Sequence, residues 1–313
     1  MAKAGKEIAG MKSYKGIRLL KNSNSDIIFD ILNTSVLFAI MIVVLYPIYF
    51  IFTASFSDPN LVNMGKTWLL PSGVSLGAYK RILGDPQVIS GYINSGIYTI
   101  TGIIVNLFVT LTGAYALSRK DFKGGRIIML LVIFTMFFNG GMIPTFLVVK
   151  KLNLVNTMWS MVLPVAVSTW NLLITRTYFS MLIPDELLEA AKMDGCGNFK
   201  FFIKIVLPLS STIIAILTLL YGVSHWNSYF NALLYIYNSD KYPIQLILRN
   251  ILIQNEVQSG MVDAYQEGVA EQYRIGEMIK YAIIVFSCLP IMIVYPLIQK
   301  YFVKGIMMGA IKG

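Results

Sequence analysis

Ile31 to Ala54 reads ILNTSVLFAIMIVVLYPIYFIFTA, a run without a single Asp, Glu, Lys, Arg or His. A helix of that length rises about 36 Å, enough to cross a hydrocarbon layer of about 30 Å. The run is also longer than the roughly 7 to 15 apolar residues of a secretory signal, so it reads as a retained membrane span. The rest of the chain agrees. Its 313 residues are 56% hydrophobic and 13% charged, with a mean hydropathy of +0.65. Soluble domains carry about 25% charged residues, so this is the composition of an integral membrane protein.

Five further stretches reach the length of a span: Tyr92 to Leu117, Ile127 to Val148, Met158 to Phe179, Leu209 to Phe230 and Met278 to Ile298. Only Arg176 and Lys280 place a charge inside these limits, each near an end where a long side chain can reach the interface. The expectation is an all-α membrane protein of six transmembrane helices. Its parts are a basic arm over residues 1–30 and one membrane domain over 31–313, with a cytoplasmic loop at 183–208 and a long outer loop at 231–277.

The charges orient it. With the amino terminus inside, the arm (Lys3, Lys6, Lys12, Lys15, Arg18, Lys21) and the other inner segments hold 17 of the 26 Lys and Arg, and the outer segments hold 9 although they include the two longest loops. That asymmetry puts both termini in the cytoplasm of a bacterial plasma membrane. It also accounts for the net charge of +10 without nucleic acid, for which no motif is present. Cys196 and Cys288 stand far apart with no metal-ligand spacing, so neither a disulfide framework nor a metal site is expected.

Outside the spans, Ser55 to Gly91 carries Pro59, Pro71 and Pro86 and reads as an irregular outer cap. In the last outer loop, Pro243 to Val257 repeats apolar residues at helical spacing, which predicts a helix lying on the outer face of the membrane. The most specific segment is cytoplasmic: Ile183-Pro184-Asp185-Glu186-Leu187-Leu188-Glu189-Ala190-Ala191-Lys192-Met193-Asp194-Gly195, then Cys196-Gly197-Asn198-Phe199 and on to Leu207-Pro208. Pro184 suits a helix start, Asp185 and Glu186 suit its first turn, and Gly195 suits the left-handed residue that ends it. A second short helix follows, with Phe199, Phe202, Ile203 and Val206 as its expected apolar stripe and Lys200 and Lys204 opposite. Two short helices with a glycine joint, paired alanines and the carboxylate of Glu189 suit an elbow that plugs into a groove on another protein.

Glu-Ala-Ala followed by three residues and Gly195, then an apolar tract ending in Leu-Pro, resembles the EAA loop of ABC-importer permeases. The chain from about Asp30 onward is similar to carbohydrate-importer permeases, also through Asn139-Gly140-Gly141-Met142-Ile143-Pro144, Leu154-Val155-Asn156-Thr157-Met158-Trp159 and His225-Trp226-Asn227-Ser228-Tyr229-Phe230-Asn231-Ala232-Leu233. Cys196 departs from the family pattern, which usually has Ala there. The resemblance implies that Glu189, Ala190, Ala191, Asp194 and Gly195 couple the spans to a cytoplasmic ATPase dimer, which binds the ATP and Mg. It also implies a second six-span permease and an extracellular solute-binding lipoprotein, with a carbohydrate, an oligosaccharide, as the expected cargo. No cofactor is expected on this chain.

Other readings weigh less. Asn106, Asn139, Asn171, His225 and Asn227 sit in apolar surroundings, where an amide or imidazole faces neighbouring helices or an aqueous path; interhelical bonding is the plainer role. Trp226, Asn227 and Asn231, with Asn139 and Asn171, are the candidate sugar contacts, because aromatic faces stack on sugar rings and amides bond their hydroxyls. Glu189 alone could be an ordinary solvated carboxylate. A secondary transporter would carry ionisable residues within its spans, and a membrane enzyme would need a nucleophile and base at depth; His225 is the sole His and has no acid in its span. No G-x-x-x-x-G-K-S/T phosphate loop is present.

Overall fold

The computed structural model describes residues 24–260 and 267–310; the basic arm through Lys21, Asp263 and Lys312 lie outside the described residues. All regular structure among the described residues is helical. By compactness the chain divides into a unit ending at Phe50 and a unit beginning at Ile51. The first unit is most of α1 (Asn24–Ser55), an all-round apolar helix that contains Pro47.

The segment expected to form the outer cap is more ordered than its prolines suggest. Asp58 accepts from the Asn60 N–H at 2.9 Å and starts α2 (Pro59–Asn63), which is followed by α3 (Gly77–Leu83). Asp85 then accepts from the Gln87 N–H at 2.8 Å and Pro86 takes the first position of α4 (Pro86–Ser118), so the second span begins ahead of the expected Tyr92. A side-chain acceptor at the cap with proline behind it satisfies helix-end amides and pre-sets φ.

Two expected spans are broken. The third is α5 (Gly125–Phe137) and α6 (Met142–Lys151), bent by 117°. The fourth is α7 (Met158–Val162), continued by a short 3-10 turn to Val165, then α8 (Thr169–Leu182), bent by 54°. The sequence at each break explains it: Asn139-Gly140-Gly141 has low helix propensity, and Pro164 removes a donor from the α7 ladder. Three helices are long and apolar enough to cross a membrane individually, and six spans result only if each bent pair counts as one.

Between spans four and five come α9 (Asp185–Met193), α10 (Asn198–Phe201), a π-helical turn over Phe202–Val206 and α11 (Leu207–Leu209). A bend of 79° leads into α12 (Ser211–Trp226), which ends short of the expected Phe230. Tyr229–Tyr235 forms a separate α13, then α14 (Ile244–Gly260) and α15 (Glu267–Ala310) complete the chain.

The second unit is built around α4. One face of it is a ladder of small and short polar residues, Gly91, Ser95, Gly102, Asn106, Thr110 and Ala114, all buried. Such a face lets helices approach closely. At Gly102 a Cβ would stand 2.3 Å from His225 Nε2, so α12 lies where only glycine permits. The helix from Ile244 does form, but it does not lie free on a surface: Ile244, Ile247 and Leu248 are buried with Val88, Met278 and Ile283 in a cluster between α4 and α15.

Candidate functional site

The segment expected to form the elbow is built as follows. Pro184 is the N-cap rather than the first helical residue of α9, and Asp185 and Glu186 fill the first turn. At the other end the Gly195 N–H donates to Lys192 O at 3.0 Å and the Cys196 N–H to Ala191 O at 2.8 Å, with Gly195 at φ 70°. This is the paired hydrogen-bond pattern of a left-handed helix stop, which a residue with a side chain resists. Exposed residues Glu186, Glu189, Ala190 and Met193 fall at i, i+3, i+4 and i+7, so they form one outward stripe. Met193 is 89% exposed, and Glu189 has no hydrogen-bond or ion-pair partner among the described residues.

The inner face of the elbow is anchored in the protein's own core. Ala191 is buried with Phe201, Phe202 and Val206 against Leu111 and Ala114 of α4, Leu172 and Phe179 of α8, and Leu217 of α12. The paired alanines therefore divide: Ala191 packs inward and Ala190 faces out. The expected stripe of the second helix is also corrected. Phe202 and Val206 are buried as expected, but Phe199 is 78% exposed and Ile203 45%, while Phe201 is buried in their place. Cys196 is half-buried and Asp194 and Gly195 are exposed.

Charges at this end are partly paired. Arg119 donates from Nε to Asp121 Oδ1 at 2.8 Å and from Nη1 to the Tyr115 hydroxyl at 2.9 Å. The Asp121 carboxylate holds the Arg119 guanidinium charged beyond its ordinary range, and the same bond keeps the Asp121 carboxyl below the usual carboxylate range. Lys120 bonds Asp185 at 2.6 Å, which ties the loop before α5 to the start of α9 and raises the ammonium's pKa. Both ends of that pair are exposed, so it contributes orientation more than stability.

A second polar layer crosses the helices farther in. Asn106, fully buried, donates from Nδ2 to Val165 O at 2.7 Å and meets His225 Nε2 through Oδ1 at 3.0 Å. With its amide nitrogen committed as donor, Asn106 Oδ1 accepts, so His225 Nε2 carries the proton. The Tyr221 hydroxyl meets Thr110 Oγ1 at 2.8 Å and accepts from the Ser168 N–H at 3.3 Å. Asn106 and Tyr221 thus supply partners to Val165 and Ser168, the two residues flanking the fourth-span break. Backbone opened between hydrophobic helices requires such partners.

That break lies beside the one in the third span, since Thr135 Oγ1 and Thr169 Oγ1 are 3.3 Å apart. Around them Asn139, Gly140, Gly141 and Trp170 are exposed, Trp170 to 58%. Asn139 caps its own turn, accepting from the Gly141 N–H at 2.9 Å. Thr135, Thr169 and Trp170 did not stand out in the sequence; the pairing of two helix breaks at one level is the signal, and it needs three dimensions. Asn171 is buried in the first turn of α8.

The remaining candidate sugar contacts are spread out. Trp226 is buried, its Nε1 donating to Ser287 O at 2.9 Å and its ring 5.6 Å from that of Tyr92, so it packs α12 against α4 and α15. Asn227 is exposed at the end of α12, bonding Val223 O at 3.0 Å and receiving Gln245 Nε2 at 3.4 Å, and Asn231 is half-buried on α13. In the Leu154–Trp159 motif, Asn156 adopts φ 61° and bonds across to the loop before α14: its N–H donates to Tyr235 O at 2.8 Å and its carbonyl accepts Lys241 Nζ at 2.8 Å. Among the described residues there is no group of three or more His, Cys, Asp or Glu that could hold a metal.

Residues 109–308 match the family described as binding-protein-dependent transport system inner membrane component. Protein LplC of Bacillus subtilis is 38% identical, covering 95% of this chain and 99% of that one. The polygalacturonan/rhamnogalacturonan transport system permease protein YtcP of the same organism is 41% identical over 91% and 99%. Among solved structures, a chain from a bacterial ABC transporter involved in the import of the acidic polysaccharide alginate superposes with a TM-score of 0.78, at 35% identity, covering 90% of this chain and 98% of that one.

Proposed function

Because the chain belongs to the binding-protein-dependent transport system inner membrane component family, we propose that it is a permease subunit of an ATP-driven importer of oligosaccharides in a bacterial plasma membrane. The role is transport, with no chemistry on the chain itself. The relatives named for polygalacturonan/rhamnogalacturonan and alginate support an acidic polysaccharide, or oligosaccharides from one, as cargo. In this reading α5 with α6 is one span, α7 with α8 is another and α12 is the fifth, both termini are cytoplasmic, and a second permease completes the path. A cytoplasmic ATPase dimer holds ATP and Mg, and an extracellular lipoprotein delivers the sugar.

The observation that carries the coupling role is the two-faced α9. Its outer stripe of Glu186, Glu189, Ala190 and Met193 is open for a groove on the ATPase, and its inner Ala191 is buried in the apolar cluster that also holds residues of α4, α8 and α12. A push on the outer stripe would reach these helices through that shared cluster, because close-packed side chains have little room to absorb it. Asp194 and Gly195 set the angle of the elbow.

The path follows from the breaks. α5 and α8 hold 13 and 14 residues between the cytoplasmic side and their breaks, so both breaks lie about 20 Å in. Open backbone and exposed Thr135 and Asn139 at that depth cannot face lipid tails and must line water or protein. Asn139, Thr135, Thr169 and Trp170 then form the sugar-facing wall, with Asn227 and Asn231 nearer the outer mouth and Asn171 and Trp226 positioning the helices behind them.

The test is purification of the tagged chain from its own membranes. An ATPase and a second permease should copurify, and ATP hydrolysis by the complex should rise with the binding protein and sugar. Isolation of the intact chain alone, with no ATPase partner under any mild detergent, would contradict the proposal.

A further inference from the structure

Beside the elbow lies a groove of about 570 Å³ that the transport reading does not use. It runs from the loop after α4 along the first two turns of α5. Leu117, Phe122, Leu130 and Ile133 give it an apolar wall, and Arg119, Lys120, Arg126 and Arg176 surround its cytoplasmic end. The four cations are not equivalent. Asp121 holds Arg119 and Asp185 holds Lys120. Arg176 makes only a bond from Nε to the carbonyl of Leu117, at 3.3 Å, and Arg126 has no ion-pair partner among the described residues.

We infer that this groove binds an anionic phospholipid of the inner leaflet, its phosphate between Arg126 and Arg176 and an acyl chain along Leu130 and Ile133. The argument is complementarity of both kinds. Two uncompensated guanidiniums at the mouth suit a phosphate, for which their planar donors are well shaped. The wall behind them is apolar and exposed, with Leu130 at 65%, and it continues into a membrane helix. A soluble anion would leave that wall wet; a neutral lipid would leave the cations without a partner. Basic residues at the cytoplasmic end of membrane helices are attracted to anionic headgroups in this way. Because Arg176 sits on α8 and Arg126 at the start of α5, a lipid here would tie together the cytoplasmic halves of the two broken spans.

The inference rests on the membrane reading of these helices but not on the identity of the sugar, and its failure would leave ATP-driven uptake untouched. The purified complex would be titrated with phosphatidylglycerol or phosphatidylcholine in native mass spectrometry, and a photoactivatable phosphatidylglycerol would locate the contact. Phosphatidylglycerol adducts should exceed phosphatidylcholine adducts. Arg126→Gln should weaken them about fivefold, and Arg126→Gln with Arg176→Gln on the order of 25-fold, as expected from one headgroup attraction per cation. Arg126→Lys should retain most of the binding, and the crosslink should fall between 117 and 133. Equal adducts for both lipids, or full binding by the correctly assembled double variant, would overturn the inference. Displacement of the lipid by millimolar inorganic phosphate would assign the cations to a free anion and overturn the lipid.

Discussion

Replacing Asn106 by Ala tests how the fourth-span break is held. The substitution removes the amide that donates to Val165 O at 2.7 Å and accepts from His225 at 3.0 Å, in a site with no exposure. Hydrogen bonds between membrane helices average about 0.6 kcal/mol and reach about 1.7, because the unfolded helices also find partners in the bilayer. Here two bonds are lost together, and the Val165 carbonyl has lost its helical partner to the break, so the upper figure applies and the expected cost is about 2 to 3 kcal/mol. That corresponds to a fall in melting temperature of roughly 4 to 12 °C, taking about 2 to 4 °C per kcal/mol for chains of comparable size. The assay is thermal unfolding of the detergent-solubilised complex followed by fluorescence-detected gel filtration. Asn227→Ala is the control: its amide bonds its own helix at an exposed end and otherwise makes only the exposed contact with Gln245 at 3.4 Å, so it should shift the midpoint by less than about 1 °C. Equal midpoints for Asn106→Ala and wild type would refute the claim that this buried amide secures the break.

Gly195→Val should cost about 1 to 2 kcal/mol for forcing a β-branched residue to φ 70°, with no added clash since no atom lies within 4 Å of the new Cβ; the complex should assemble with reduced sugar-stimulated ATPase, read by phosphate release. Trp170→Ala should lower sugar uptake while basal ATPase and complex yield stay near normal, and loss of assembly instead would return Trp170 to a packing role. An impermeant thiol reagent should modify Cys196 in inverted vesicles, slowly because the thiol is half-buried, and more slowly still once the ATPase is bound. Labelling of Cys196 from the outside of intact cells would reverse the topology.

The sequence carries the membrane class without ambiguity, since apolar runs and their flanking charges depend only on the chain. The helix from Asp185 and its stop at Gly195 were equally readable, because a proline ahead of the helix, an acidic first turn and a glycine stop are local signals. What stayed hidden was relational. Apolar periodicity cannot show that Asn139-Gly140-Gly141 and Pro164 bend their spans, since both halves remain apolar. It cannot show that these bends meet at Thr135 and Thr169 or that Asn106 reaches across to Val165. The stripe of the second elbow helix was legible at Phe202 and Val206, which are buried, and not at Phe199 and Ile203, which are exposed. Trp226 illustrates the last gap, because an aromatic near a polar pair reads as a sugar platform until Ser287 and Tyr92 are seen against it.

The central claim is that this chain converts ATP hydrolysis by a partner into inward movement of an oligosaccharide through the outer stripe of α9. It is tested most directly by proteoliposomes holding the purified complex, with ATP inside and binding protein plus labelled uronic-acid oligosaccharide outside. The account predicts ATP-dependent accumulation that Glu189→Lys abolishes or sharply reduces, although the variant complex inserts and its permease pair remains intact. Full accumulation by the Glu189→Lys complex, or accumulation that needs no ATP, would contradict it.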